Sequence, residues 1–129
     1  MKTNYFRKEE RLCNKRHINA LYQNGSSFLL YPFKVVFLPC EEIAVPVQVL
    51  ISVPKRRFKR AVDRNLLKRR IRESYRLRKS SFISTISGSP LLLSFQYIGN
   101  KIEEYGTICK KMDAVFIKLR DEYAKVHLE

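Results

Sequence analysis

A chain of 129 residues has room for one domain with its own core, and 45% hydrophobic with 12% aromatic content is too apolar for a disordered basic tail. The formal charge of +14, from 26 Lys and Arg against 12 Asp and Glu, exceeds what solubility needs and points to a polyanionic partner. Cys13, Cys40 and Cys109 are odd in number and far apart, with no CxxC pair and no adjacent histidine cluster to suggest zinc, so they read as thiols in a reducing compartment. The opening MKTNYFRKEER has no apolar run for a signal peptide, and no stretch approaches the roughly 20 apolar residues of a membrane span. The expected location is the cytoplasm, with no membrane partner.

In chain order, residues 7 to 23 carry Leu12, Ile18, Leu21 and Tyr22 among charges, and Asn24-Gly25 offers a stop, which predicts a short first helix. From Ser26 to Val53 β-branched and aromatic residues dominate, with Pro39-Cys40-Glu41-Glu42 as a polar break. FKVVFLP and VPVQVLISV are the two clearest strands, with a short extra one near Phe28. After SVPKRRFKR the chain turns to Leu, Lys, Arg and Glu, and a helix is expected from Ala61 to about Lys79. SSFISTISGSP is a Ser-rich connection with Gly88 and Pro90, LLLSFQYI reads as a buried strand, and Gly99-Asn100 closes it. Ile108, Met112, Val115, Phe116 and Leu119, spaced by three and four, predict a last amphipathic helix packed on the core. The expected fold is α+β: a single-domain α/β sandwich over residues 1–129, its mixed central sheet covered by helices, in the order α-β-β-β-α-β-α.

Residues 55 to 79 hold 13 basic residues against Asp63 and Glu73, so +11 of the +14 is local. At about 100° per residue, Leu67, Ile71, Ser74 and Tyr75 gather on one arc of the helix. Asn65, Lys68, Arg69, Arg72, Arg76 and Lys79 gather on the opposite one. A solvated charged face mixes signs through i, i+4 pairs, and here Arg69 with Glu73 is the evident one. Guanidinium forks without a local partner suit phosphate oxygens, so the apolar arc is expected to anchor the helix and the other to bind nucleic acid.

The run AVDRNLLKRRIRESYR, after SVPKRR and a strand, closely resembles the protein subunit of bacterial ribonuclease P, whose signature pairs stand here as Arg64-Asn65, Lys68-Arg69 and Arg72-Glu73. FRKEERL, Ile18 to Gly25 and FKVVFLP also look like the family, so the resemblance covers about residues 6–122. It implies a cofactor to a ribozyme: the RNA subunit hydrolyses the 5′ leader of precursor tRNA, and the protein binds both RNAs, with no catalytic residue of its own. It implies a left-handed β-α-β crossover, where geometry alone favours the right-handed one. Arg64, Asn65, Lys68, Arg69, Arg72 and Arg76 would hold the RNA subunit, with Lys55, Arg56 and Arg57 at the edge. The family's leader cleft, between the first helix and the sheet, would be bordered by Tyr22, Lys34, Ile18 and Val36, aromatic rings there suiting unstacked bases. Ile18 stands where the family often has an aromatic residue, and Val36 where a tyrosine can occur. Phe33 and Phe37, alternating on one side of their strand, are expected in the core. Phe58 stands in a turn where relatives often have glycine. Mg²⁺ would be held mainly by the RNA subunit, whose phosphates supply hard oxygen ligands; no metal site and no obligate protein partner is expected in this chain.

A nuclease acting by itself would need grouped carboxylates for metal, or a histidine pair. Glu9-Glu10, Glu41-Glu42, Glu103-Glu104 and Asp121-Glu122 are adjacent pairs that diverge, His17 and His127 lie near opposite ends, and no phosphate-cradling glycine loop is present. The alternative is a general RNA-binding protein, for example ribosomal, without a role in cleavage.

Overall fold

The computed structural model describes residues 6–86 and 89–128, with side chains through Lys125. Gly88 and the side chain of His127 lie outside the described residues. Helix α1 spans Lys15–Asn24, strand β1 Ser26–Leu30, β2 Phe33–Pro39 and β3 Val47–Ser52; α2 spans Ala61–Ile83, β4 Leu91–Tyr97 and α3 Tyr105–Leu128. The sheet runs β1-β2-β4-β3, antiparallel except for the β3/β4 pair, which is parallel and joined through α2. This is the expected α+β order, including the short strand near Phe28.

Alternation along the strands sorts side chains onto two faces. Phe33, Val35 and Phe37 of β2 and Leu91, Leu93, Phe95 and Tyr97 of β4 point into the main core, where they meet α2 and α3. Leu67, Ile71 and Tyr75 of α2 are fully buried there, and Ser74 is buried beside them, as the apolar arc requires. Each of these large side chains contributes about 1.5–3 kcal/mol relative to an exposed position. Ile108, Met112, Val115, Phe116 and Leu119 of α3 complete the layer. Phe58 is part of this core, its ring 5.9 Å from that of Tyr97, so an aromatic anchor tethers the turn that enters α2.

On the other face, Leu12, Leu21, Val36 and Leu92 form a smaller core under α1. Gly25 is required here by close approach, since a Cβ would stand 2.8 Å from Val36 Cγ1.

The first helix is shorter than its sequence pattern. Asn14 Oδ1 accepts from the N–H groups of Arg16 and His17 and caps α1 at Lys15. Upstream, Lys8–Glu10 is a single 3₁₀ turn, and Arg11 bridges to Val49 on the outer edge of β3. Residues 7–14 therefore cover an open sheet edge that would otherwise leave backbone groups unpaired. Helix α2 in turn continues one turn past Lys79, with Phe82 buried.

Candidate nucleic-acid interface

The basic residues of α2 separate into two groups by what they touch. Arg64 Nη1 donates to the carbonyls of Phe58 and Lys59, both at 2.8 Å, and so braces the turn that enters the helix. Arg70 donates to the Glu103 carbonyl, and Arg78 pairs with Asp113 at 2.6 Å, binding α2 to α3 and the segment before it. Arg76 meets Glu73 at 2.6 Å, and this bond holds the Glu73 carboxyl below its usual range. The i, i+4 pairing of Glu73 with Arg69 expected from the sequence is thus replaced by an i, i+3 pairing with Arg76.

Lys79 is the larger departure. Expected on the cationic arc, it is 4% exposed, and its Nζ lies 2.7 Å from Glu10 Oε1. Glu10 also accepts from the Arg7 N–H, so the pair clips the N-terminal turn to the far end of α2. The adjoining Tyr75 hydroxyl is buried without a partner among the described residues; burial first, and then the Glu10 charge, push its pKa far up.

What remains is narrower than the total charge. Asn65, Lys68, Arg69 and Arg72 stand at i, i+3, i+4 and i+7 on one face of α2, and the three cations have no ion pair with a described residue. Lys55, Arg56 and Arg57 are exposed in the turn before the helix, beside the buried anchor Phe58. A row of unpaired cations on a rigid helix is suited to successive phosphates, and each phosphate neutralised would release counterions.

The second surface lies across the sheet, against α1. Tyr22 is 46% exposed, and its hydroxyl shares a 2.8 Å hydrogen bond with Ser94 Oγ, a fully buried group on β4. The ring is thereby held at its hydroxyl end while the residue stays exposed. Lys34 is exposed on the same side of β2 as Val36. Val36 itself is 4% exposed beneath α1, and Ile18 is half-buried against the same cluster. Of the four candidate leader contacts, Tyr22 and Lys34 are open. Val36 is corrected to packing, because α1 lies on it, and Ile18 is mostly packing. Phe33 and Phe37 are in the main core, as alternation required.

Sequence reasoning missed Ser94 and Glu10, both polar residues given meaning by partners 72 and 69 positions away. It also passed over a grouping at the end of the α1 cleft. His17 Nε2 donates to Glu42 Oε1 at 3.0 Å, Arg16 reaches the same oxygen at 2.7 Å, and Cys40 adjoins them. The His17 hydrogen bond, followed by the Arg16 charge, lowers the pKa of Glu42. No histidine cluster adjoins a cysteine along the chain, yet the fold brings Cys40 to His17 and Glu42.

Comparison with known proteins gives the family and the fold. Residues 6–93 match the family model described as Ribonuclease P. The chain is 33% identical over 115 residues to the ribonuclease P protein component of Porphyromonas gingivalis (strain ATCC 33277), covering 87% of this chain and 84% of that one. It is also 33% identical over 96 residues to the component from Petrotoga mobilis, covering 74% and 73%. Among solved structures, a Staphylococcus aureus RNase P protein mutant superposes with a TM-score of 0.73 at 24% identity, covering 88% of this chain and 90% of that one. The Thermotoga maritima RNase P protein bound to a fluorophenyl thiourea gives 0.66 at 20% identity, covering 82% and 96%. The chain belongs to the ribonuclease P protein family, the protein component of a ribonucleoprotein endoribonuclease that works with an RNA subunit.

Proposed function

We propose that the chain acts in removal of the 5′ leader from precursor tRNA, with one face of α2 holding the RNA subunit and the α1 cleft receiving the leader. The carrying observation is the partition of cations on α2. Five of its basic residues are engaged within the protein, while Arg69, exposed, and Lys68 and Arg72, half-buried, align with Asn65 on one face with no ion pair to a described residue. Lys55, Arg56 and Arg57 extend that face. Arg64 supports it by fixing the entry turn, and Arg76 lies at its margin, engaged with Glu73. Tyr22 offers a ring to an unstacked leader base and Lys34 a charge to a leader phosphate.

Magnesium assists phosphodiester hydrolysis as a hard cation that takes oxygen ligands. The described grouping of three ligating side chains contains a thiol and an imidazole, which do not fit it. In this reading RNA phosphates hold the magnesium, and the protein reduces the concentration needed by neutralising backbone charge where the RNAs meet. The three cysteines are free thiols, in keeping with work in a reducing cytoplasm, and no helix of the described residues is long and apolar enough to cross a membrane.

The test is cleavage of a precursor tRNA at low magnesium by the source organism's ribonuclease P RNA, with and without the protein. Stimulated cleavage at the mature 5′ end, with no activity from protein alone, is expected. Tight RNA binding without stimulation would place the protein among general RNA-binding proteins instead.

A further inference from the structure

The grouping at the end of the α1 cleft has the composition of a metal site. His17, Cys40 and Glu42 each present one ligand atom, and the three atoms lie within 4.8 Å of one another. The backbone fixes two of them: the Asn14 cap holds the first turn of α1 at His17, and the Cys40 N–H donates to the Pro90 carbonyl at 2.7 Å, just before β4. His17 is 9% exposed, and among the described residues its Nδ1 has no hydrogen-bond partner while its Nε2 meets the carboxylate. Cys40 is half-buried and Glu42 exposed, and a cleft of about 360 Å³ opens beside all three.

We propose that His17, Cys40 and Glu42 form a binding site for a zinc-class divalent ion, with a fourth position open to the cleft. The ligand types decide the metal. Nitrogen, thiolate and carboxylate together suit zinc, whereas magnesium and calcium take oxygen alone. Tetrahedral bonds of about 2.0–2.3 Å place ligand atoms roughly 3.3–3.8 Å apart, and since His17 Nε2 and Glu42 Oε1 already stand 3.0 Å apart, closure needs side-chain movement of about 1 Å, chiefly to bring the Cys40 thiol in. A thiolate and a carboxylate neutralise the dication, and the imidazole joins through the Nε2 lone pair in its Nδ1–H form. Binding takes the thiolate form of Cys40 and releases its proton to solvent. Arg16 and Glu42 are both exposed, and the carboxylate has a second oxygen, so their ion pair is no obstacle to ligation.

The inference does not depend on the leader path, because it concerns metal affinity of the free protein. The probe is Co²⁺, added to the reduced full chain and then displaced by Zn²⁺. One ion per chain and a thiolate-to-cobalt charge-transfer band are expected. Cys40→Ser removes the band, while Cys13→Ser and Cys109→Ser keep it. Glu42→Gln, at an exposed position that does not endanger folding, weakens Zn²⁺ binding at least tenfold. Absence of the band, its persistence in folded Cys40→Ser, or unchanged affinity in Glu42→Gln would each overturn the assignment.

Discussion

The outer face of α2 and the cleft beside α1 are both candidate RNA surfaces, yet they are built on different principles. On α2 the device is unpaired charge displayed by a rigid helix, whose apolar arc is fixed in the main core. In the cleft the device is one oriented ring, Tyr22, held by a buried serine on a neighbouring strand, with Lys34 nearby. The first should bind any backbone and respond steeply to salt, and the second should respond to whether an unstacked base is present. Within α2 itself, charge is no guide to role, since Lys79 and Arg69 share a helix and a sign while one is buried and the other exposed.

The strongest challenge to this division is Lys79→Ala. Removing one partner of a buried pair leaves Glu10 uncompensated and should cost about 3–5 kcal/mol in urea denaturation. Replacing both, as Lys79→Met with Glu10→Leu, should recover most of that loss. A Lys79→Ala protein of native stability with weakened RNA binding would return Lys79 to the outer face.

Tyr22→Ala sharpens the cleft side. Loss of a stacked base should cost about 1–3 kcal/mol in affinity of the holoenzyme for precursor tRNA, with little change for mature tRNA that lacks a leader. Equal losses for both would remove the leader from the cleft.

Ser94→Ala is the smaller test of the same surface. It removes one hydrogen bond to a half-exposed ring, so stability should fall by about 1 kcal/mol, and leader affinity by less than in Tyr22→Ala. If leader affinity falls as far as in Tyr22→Ala, the serine itself meets the RNA.

The α2 surface is largely legible in the sequence because helical geometry turns spacing into faces. Leu67, Ile71, Ser74 and Tyr75 are buried together, and Asn65, Lys68, Arg69 and Arg72 align together. Strand limits are legible for β2, which matches FKVVFLP residue for residue, since alternation and β-branching carry that signal locally. Long-range pairing is not. Nothing near Lys79 announces Glu10, and nothing near Tyr22 announces Ser94. The first helix reads too long because Leu12 fits helical spacing equally well from the turn-and-bridge segment along β3, where it packs under α1. Val36 reads as accessible because alternation names its face but not the helix lying on that face. Arg64 fits the signature and its spacing, but its guanidinium faces two carbonyls of its own entry turn, so substituting it would test the fold and the interface together.

The most direct test of the central claim therefore leaves Arg64 in place. Lys68, Arg69 and Arg72 are changed together to Ala, and binding to the ribonuclease P RNA is followed across a range of salt concentrations. With three phosphates no longer neutralised, the slope of log affinity against log salt should flatten by about 2–3, with circular dichroism and the urea midpoint unchanged. An unaltered slope in a folded variant would contradict the account, and the open face of α2 would then be only a solvated surface.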